Sequence, residues 1–387
     1  MNMYLMTLWI IAATLMPKSL ARAVLVTYPD KFTLEEAKSL VEAADRKVLN
    51  VFTQKYLNHS EYGIGSGKAK ELEEYVKESG ADQIIVDEHL TPRQIFNLEK
   101  LTGVQVVDRE RLILDIFYSR ATSNEAKLQI QLAEIKYDMP RVREIAKITS
   151  GKERAGKGGS GEYVVDVKFR DLRRRMEFIK EKLDEAKKKR QLYQRQRMKA
   201  DMPVVSLVGY TSAGKTTLFN LLAAEQRETA ASLFTTLSTT TRSVKLDDER
   251  ERILLTDTVG FISRLPTYMI EAFKSTLEES LAADLILLMV DCSEGLEEIK
   301  AKYYSCWNVL RELGVDESKV HVVLTKYDGE SASSSDVQKI PALTSDLKIQ
   351  EPILISSKTG YGIRRLKNTV RLLLKAGPSH TQEQPPQ

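Results

Sequence analysis

Cysteine and histidine are nearly absent: Cys292 and Cys306, and His59, His89, His321 and His380, are the two cysteines and four histidines in 387 residues. A disulfide framework needs several spaced cysteines and a structural zinc site needs clustered sulfur or imidazole ligands, so both are excluded. The scarcity fits a reducing compartment. Membrane-length apolar runs are missing too. The stretch that could be taken for an anchor, Leu5 to Met16, has 12 residues, whereas a bilayer crossing needs about 20. No positive region precedes it, as one would in a secretory signal. Residues 1–22 are read as an apolar leader on a cytoplasmic protein with no stable membrane association. A misassigned start, or a helix packed on the first domain, are the alternatives. Strong charge of one sign is also lacking, with 58 Lys plus Arg against 54 Asp plus Glu and a net +4.

What is present is 42% hydrophobic and 29% charged, which fills cores and argues against a chain disordered or fibrous throughout. The length allows two to three domains. The even charge balance hides a local excess. From Arg141 to Lys199 there are 20 basic and 9 acidic residues, leaving 38 basic against 45 acidic elsewhere. A basic appendage between acidic bodies makes nucleic acid the partner to test. A solvated helical face is the plain alternative.

Hydrophobic spacing divides the chain. Ala23 to Thr27, Val48 to Thr53, Gln83 to Asp87 and Val104 to Val107 read as strands, alternating with helices at Leu34 to Arg46, Lys68 to Glu78 and Thr91 to Leu101. With Glu110 to Tyr118 they make a small parallel α/β domain, residues 23–120. The glycines at Gly63, Gly65 and Gly67 before Lys68 imitate a phosphate loop, but Tyr62 and Ala69 occupy positions that such a loop needs for glycine and a hydroxyl. Residues 121–200 read as two long helices. Leu128, Leu132 and Ile135 mark the first, which Pro140 is expected to break or kink. A connector with five glycines between Gly151 and Gly161 follows. The second helix starts near Lys168, and its Leu172, Met176, Ile179, Leu183 and Ala186 advance by four, three, four and three, the seam of an antiparallel hairpin. Residues 201–376 form a further α/β domain, and 377–387 a frayed, disordered tail.

That last domain carries the chemistry. Val204 to Val208 is a buried strand, followed by Gly209, Tyr210, Thr211, Ser212, Ala213, Gly214, Lys215, Thr216 and Thr217 at a helix start. Strand, glycine turn and helix N-terminus together form a P-loop. Its backbone donors surround phosphate, Lys215 reaches the outer phosphates and the Thr216 hydroxyl holds magnesium. The strand Ile253 to Thr256 ends in Asp257, 42 residues beyond Lys215, where an acid reaches the metal through water and Gly260 can offer its amide to the terminal phosphate. A third strand, His321 to Leu324, leads into Thr325, Lys326, Tyr327 and Asp328. A carboxylate there can accept two hydrogen bonds from guanine, which adenine cannot supply, so GTP and GDP are expected over ATP. Ser356, Ser357 and Lys358 follow a further strand and can close over the base. The fold class is therefore α/β, a P-loop GTPase domain preceded by a small parallel α/β domain and a long antiparallel helical hairpin.

This motif order resembles the translation-factor class of P-loop GTPases. The two-part lead-in, Gly159 to Glu162, the run Gly209-Tyr-Thr-Ser-Ala-Gly-Lys-Thr216, Leu233-Phe-Thr-Thr-Leu237, Thr240-Thr-Arg242 and Asp257-Thr-Val-Gly-Phe261 resemble the HflX family of ribosome-associated GTPases over about Ala23 to Leu374. The resemblance implies a magnesium-dependent GTPase that binds the large ribosomal subunit and its RNA rather than DNA. It also implies a part in ribosome splitting or rescue, and a monomer when free. It assigns the basic hairpin to ribosomal RNA and the terminal-phosphate sensor, also a magnesium ligand, to Thr236. Thr240 is a rival, and Thr235 and Thr241 lie nearby. An RNA-binding GTPase of ribosome assembly or messenger handling, or a protein-only switch, would share every nucleotide residue.

The chain departs from the family pattern at three places in its motifs. Ser212 and Thr325 stand where asparagine is usual, which puts potassium activation in doubt and predicts weaker guanine affinity. Ser238 and Thr239 replace an Asp-Pro pair. Phe261, which belongs to the shared motif, holds the place where many GTPases carry a water-orienting glutamine, so hydrolysis is expected to be slow without the ribosome.

Overall fold

The structure is a computed structural model, and it describes residues 20–150, 160–198, 202–224, 239–246, 251–271, 283–328 and 334–376. Most of the apolar leader, most of the glycine connector, Thr235, Thr236, Ser238 and the tail lie outside the described residues. Backbone contacts divide the chain into two units. One runs to Ile116 and includes Arg143–Gly161; the other comprises Phe117–Val142 and Glu162–Gln387.

In the first unit, strand β1 (Ala21–Thr27) has five consecutive inaccessible residues, Ala23 to Thr27. It lies parallel between β2 (Arg46–Thr53) and β3 (Gln83–Val86), and β3 pairs in parallel with β4 (Gln105–Asp108). The order β2-β1-β3-β4 is covered by α1 (Lys31–Ala43), α2 (Ser66–Ser79) and α3 (Pro92–Thr102), and α4 (Arg109–Arg120) follows β4. Local chemistry sets the helix starts. The Asp30 carboxylate accepts the Thr33 amide, so α1 begins at Lys31, three residues before the expected start at Leu34. Thr91 and Gln94 form a capping box ahead of Pro92. The glycine loop before Lys68 leads straight into α2.

Beyond the ends of β1 and β3, where strand order reverses and open α/β sheets gather ligands, the buried Arg109 guanidinium pairs with Asp87 and Glu36. The Thr27 hydroxyl also donates to Asp87 at 2.8 Å.

The hairpin helices are α5 (Asn124–Ser150) and α6 (Ser160–Met198). Leu132 and Ile135 pack with Ile179, joined by Leu128, Met139, Leu172, Met176 and Leu183, the contacts that the four-three spacing predicts. Of the break or kink expected at Pro140, the break does not occur: α5 continues to Ser150. Proline removes one internal hydrogen bond, and the seam residues Leu128, Leu132, Ile135 and Met139 hold the turns that precede it. α6 also starts at Ser160, eight residues before the expected Lys168.

The remaining sheet has the order β10-β9-β8-β5-β7-β6. Its strands are β5 (Val204–Gly209), β6 (Thr240–Lys245), β7 (Arg252–Asp257), β8 (Leu285–Asp291), β9 (Val320–Thr325) and β10 (Ile353–Leu354). All pairs are parallel except β6 with β7. Helices α7 (Lys215–Ala223), α8 (Leu296–Glu312), α9 (Ser334–Asp346) and α10 (Ile363–Ala376) complete it. Every residue of β8 is buried. Parallel order aligns the strand ends: Leu207 is level with Asp257, Gly209 with Met289 and Asp291 with Thr325.

Candidate nucleotide site

The phosphate loop begins where β5 emerges between β7 and β8. Gly209 has φ 150°, and a Cβ there would stand 2.4 Å from the Met289 carbonyl oxygen, so a side chain is sterically excluded. Gly214 caps α7 in the left-handed region at φ 87°. Ser212 is also left-handed, at φ 62°, a conformation that asparagine adopts more readily than serine.

Lys215 turns back beneath the loop and donates to the carbonyls of Gly209 at 3.0 Å and Tyr210 at 2.7 Å. Burial lowers its pKa to about 8, against the pull of the Asp257 carboxylate. Nearby, burial pushes the Cys306 thiol up to about 12. A small cavity of about 10 Å³ lies beside the loop, bounded by Tyr210, Ala213, Met289, Lys302 and Cys306 among others.

Strand β7 brings Asp257, which is fully buried, to Thr216, whose hydroxyl donates to its Oδ2 at 2.9 Å. Among the described residues no group of three or more His, Cys, Asp or Glu could hold a metal alone. One hydroxyl and one carboxylate nonetheless fit magnesium, which is commonly held by one or two protein oxygens together with phosphate and water. Gly260 closes the other side. A Cβ there would lie 2.8 Å from Thr211 Cγ2 and 3.1 Å from Lys215 Nζ.

Three amides fasten the segment after Gly260. Phe261 N–H donates to Gly209 O at 3.0 Å, Thr211 N–H donates to Phe261 O at 2.8 Å, and Ser263 N–H donates to the Tyr210 hydroxyl at 2.7 Å. The Phe261 ring is buried. Of the two threonine rivals, Thr236 is outside the described residues. Thr240 starts β6 level with Asp257, and the neighbouring Thr241 hydroxyl is 3.0 Å from that of Thr256.

At the base site, Thr325 is buried and its hydroxyl lies 2.8 Å from Ala213 O and 3.2 Å from Val290 O, which ties β9 to the phosphate loop. Lys326 is left-handed at φ 59°. Asp328 is exposed, and its Oδ1 accepts the Ser356 hydroxyl at 2.7 Å. The same Ser356 oxygen accepts the Thr359 amide at 3.2 Å. Ser357 is partly exposed and Lys358 exposed in the loop after β10, and Thr217 is exposed on the first turn of α7. The motif residues of the phosphate loop, β7, β9 and the β10 loop thus lie along the carboxyl ends of one sheet. Sequence reasoning missed Thr258, whose hydroxyl donates to Leu207 O at 2.7 Å, and the Tyr327–Tyr361 ring contact at 5.5 Å. Thr258 stands within the Asp257–Phe261 motif, which could have flagged it, whereas the tyrosine pair has no motif signature.

Comparison with known proteins follows the same divisions. Three family profiles match: GTP-binding GTPase N-terminal over residues 31–118, GTP-binding GTPase middle region over 120–197, and 50S ribosome-binding GTPase over 204–326. GTPase HflX of Thermococcus kodakarensis is 40% identical over 350 residues, covering 89% of this chain and 79% of that protein. GTPase HflX of Escherichia coli is 36% identical over 365 residues, covering 92% and 83%. Among solved structures, a crystal structure of SsGBP in complex with GDP is similar with a TM-score of 0.53 and 26% identity, covering 92% of this chain and 99% of that one.

Proposed function

The chain belongs to the HflX family of GTPases, and on that premise we propose that it hydrolyses GTP on the large ribosomal subunit, in ribosome splitting or rescue. The observation that carries the chemistry is the meeting of Lys215, Thr216 and Asp257 at the end of β5 and β7. Lys215 offsets charge on the outer phosphate oxygens. Thr216 and Asp257 would hold magnesium, the latter through water, with Thr236 as a further ligand, and the ion would neutralise charge developing on the phosphates. Asp328, steadied by Ser356, accepts the two donors of guanine. Thr325, Lys326, Ser357 and Lys358 shape the pocket around it. The Gly260 amide and Thr236 sense the terminal phosphate.

Water attacks that phosphate in line, giving GDP and phosphate with no covalent intermediate. The buried Phe261 ring offers no group to orient the water, so turnover is slow until the ribosome completes the site.

Ribosome association is supported by the family profile over residues 204–326, whose description includes 50S binding. The basic excess between Arg141 and Lys199 supports a nucleic-acid partner for the hairpin, and the 50S description of the family profile favours ribosomal RNA over DNA as that partner. The free protein is proposed to be a cytoplasmic monomer; among the described residues no helix is long and apolar enough to cross a membrane. Co-sedimentation with purified large subunits in a non-hydrolysable GTP analogue tests the proposal. Binding should be saturable and nucleotide-dependent, and should weaken when the basic residues of Lys187–Lys199 are neutralised. Binding indifferent to nucleotide and to those charges would overturn it.

A further inference from the structure

Strand β8 runs through six apolar residues, Leu285 to Val290, and then ends in Asp291, an acid that the chemistry assigned above does not use. Asp291 Oδ1 accepts both the amide and the hydroxyl of Ser293, at 3.0 and 2.7 Å. Its Oδ2 lies 2.5 Å from Lys326 Nζ, the Asp291 side chain being 5% exposed and that of Lys326 45%. The next residue, Cys292, donates its amide to Thr325 O at 3.1 Å. Two consecutive residues leaving β8 therefore grip two consecutive residues leaving β9, immediately before Asp328. The gripped lysine holds the left-handed conformation at φ 59°, which is uncommon for a residue with a side chain and costs free energy that its contacts must offset.

We propose that Asp291 is a positioning residue of the base site, holding Lys326 and with it the left-handed turn from which Asp328 meets the base. The inference rests on the reading of Asp328 as the guanine acceptor and extends it to a residue outside the motif. Asp291 stays on the protein side of the pocket. Its loss releases the Lys326 ammonium and lets the turn relax, so the bound nucleotide leaves faster while the phosphate chemistry is untouched. The effect falls equally on GDP and GTP, because both carry the same base.

Stopped-flow dissociation of a fluorescent GDP and a fluorescent non-hydrolysable GTP analogue from the full chain, with kcat and KM for GTP, provides the test. Asp291→Asn should speed dissociation of both about tenfold, the scale of one charge-assisted hydrogen bond, and raise KM with kcat held. Lys326→Met should do the same, and the double variant should be no worse than Lys326→Met alone. Ser293→Ala, which removes one donor from the carboxylate and is the milder change should Asp291→Asn fail to fold, should shift the rate in the same direction by a smaller factor. Wild-type dissociation in Asp291→Asn, or in Ser293→Ala if it alone folds, would overturn the proposal, as would additive effects in the double variant. Failure of the underlying reading looks different: a wild-type chain that binds no GDP, or an Asp328→Asn variant that keeps its preference for guanine over xanthine nucleotides.

Discussion

Burying the Lys215 ammonium under the phosphate loop leaves the nucleotide-free protein holding a charge that carbonyl oxygens and Asp257 only partly compensate. With its pKa lowered to about 8, the penalty is present in full below that pH and amounts to about 3 kcal/mol. Between pH 8 and the ordinary lysine value the unfolded chain binds more protons than the folded one, so this contribution makes stability rise with pH. Lys215→Met should therefore raise the melting temperature of the nucleotide-free protein at pH 7 and abolish the further rise on adding GDP and magnesium, both read by thermal shift. Arg109 is the opposite case, a buried cation satisfied by two buried carboxylates. Arg109→Met strands both acids and should lower stability by about 3–5 kcal/mol in urea denaturation.

At the scale of elements, Pro140 sits exposed inside α5. Pro140→Ala should restore an internal hydrogen bond and stabilise the hairpin by up to about 3 kcal/mol, seen as slower amide exchange across Lys136–Arg141. The helix continues past this proline although local propensity favours a stop, and the turns before it are held by a seam that Leu132, Ile135 and Ile179 make across two helices. The seam itself was legible from its spacing, as were the parallel strands of the first unit, whose apolar runs are short and bounded. Strand β6 was not read as a strand. Thr-Thr-Arg-Ser-Val-Lys has only Val244 buried, and an edge strand held by backbone pairing leaves little hydrophobic pattern. The start of α1 was misplaced because a cap, Asp30, sets it. In the candidate site, the placement of the glycine loop, Asp257 and Asp328 at the ends of their strands was legible, because each follows a short apolar run at a fixed spacing. Tyr210 as an acceptor for Ser263, and Asp291 as a partner for Lys326, depend on distances that no spacing encodes.

At the scale of the whole molecule, the separation of charge along the chain matters more than its net value. Neutralising one phosphate-contacting lysine in Lys187–Lys199 should reduce the slope of log affinity for ribosomal RNA against log salt by about 0.7 to 0.9. The measurement is a binding titration at several potassium chloride concentrations. A neutral substitution on the solvent face of α2 should leave the slope as it was.

The amides of Thr211 and Phe261 carry a consequence of their own. Each is bound to a carbonyl across the gap between the phosphate loop and the stretch following Gly260, and peptide groups take part whatever side chains those positions carry. A displacement of that stretch by the terminal phosphate has to part these two bonds, so their deuterium uptake is a clock for the event. Uptake at 211 and 261 should be slow with GDP, quicken with a GTP analogue, and return to the slow regime as the phosphate departs.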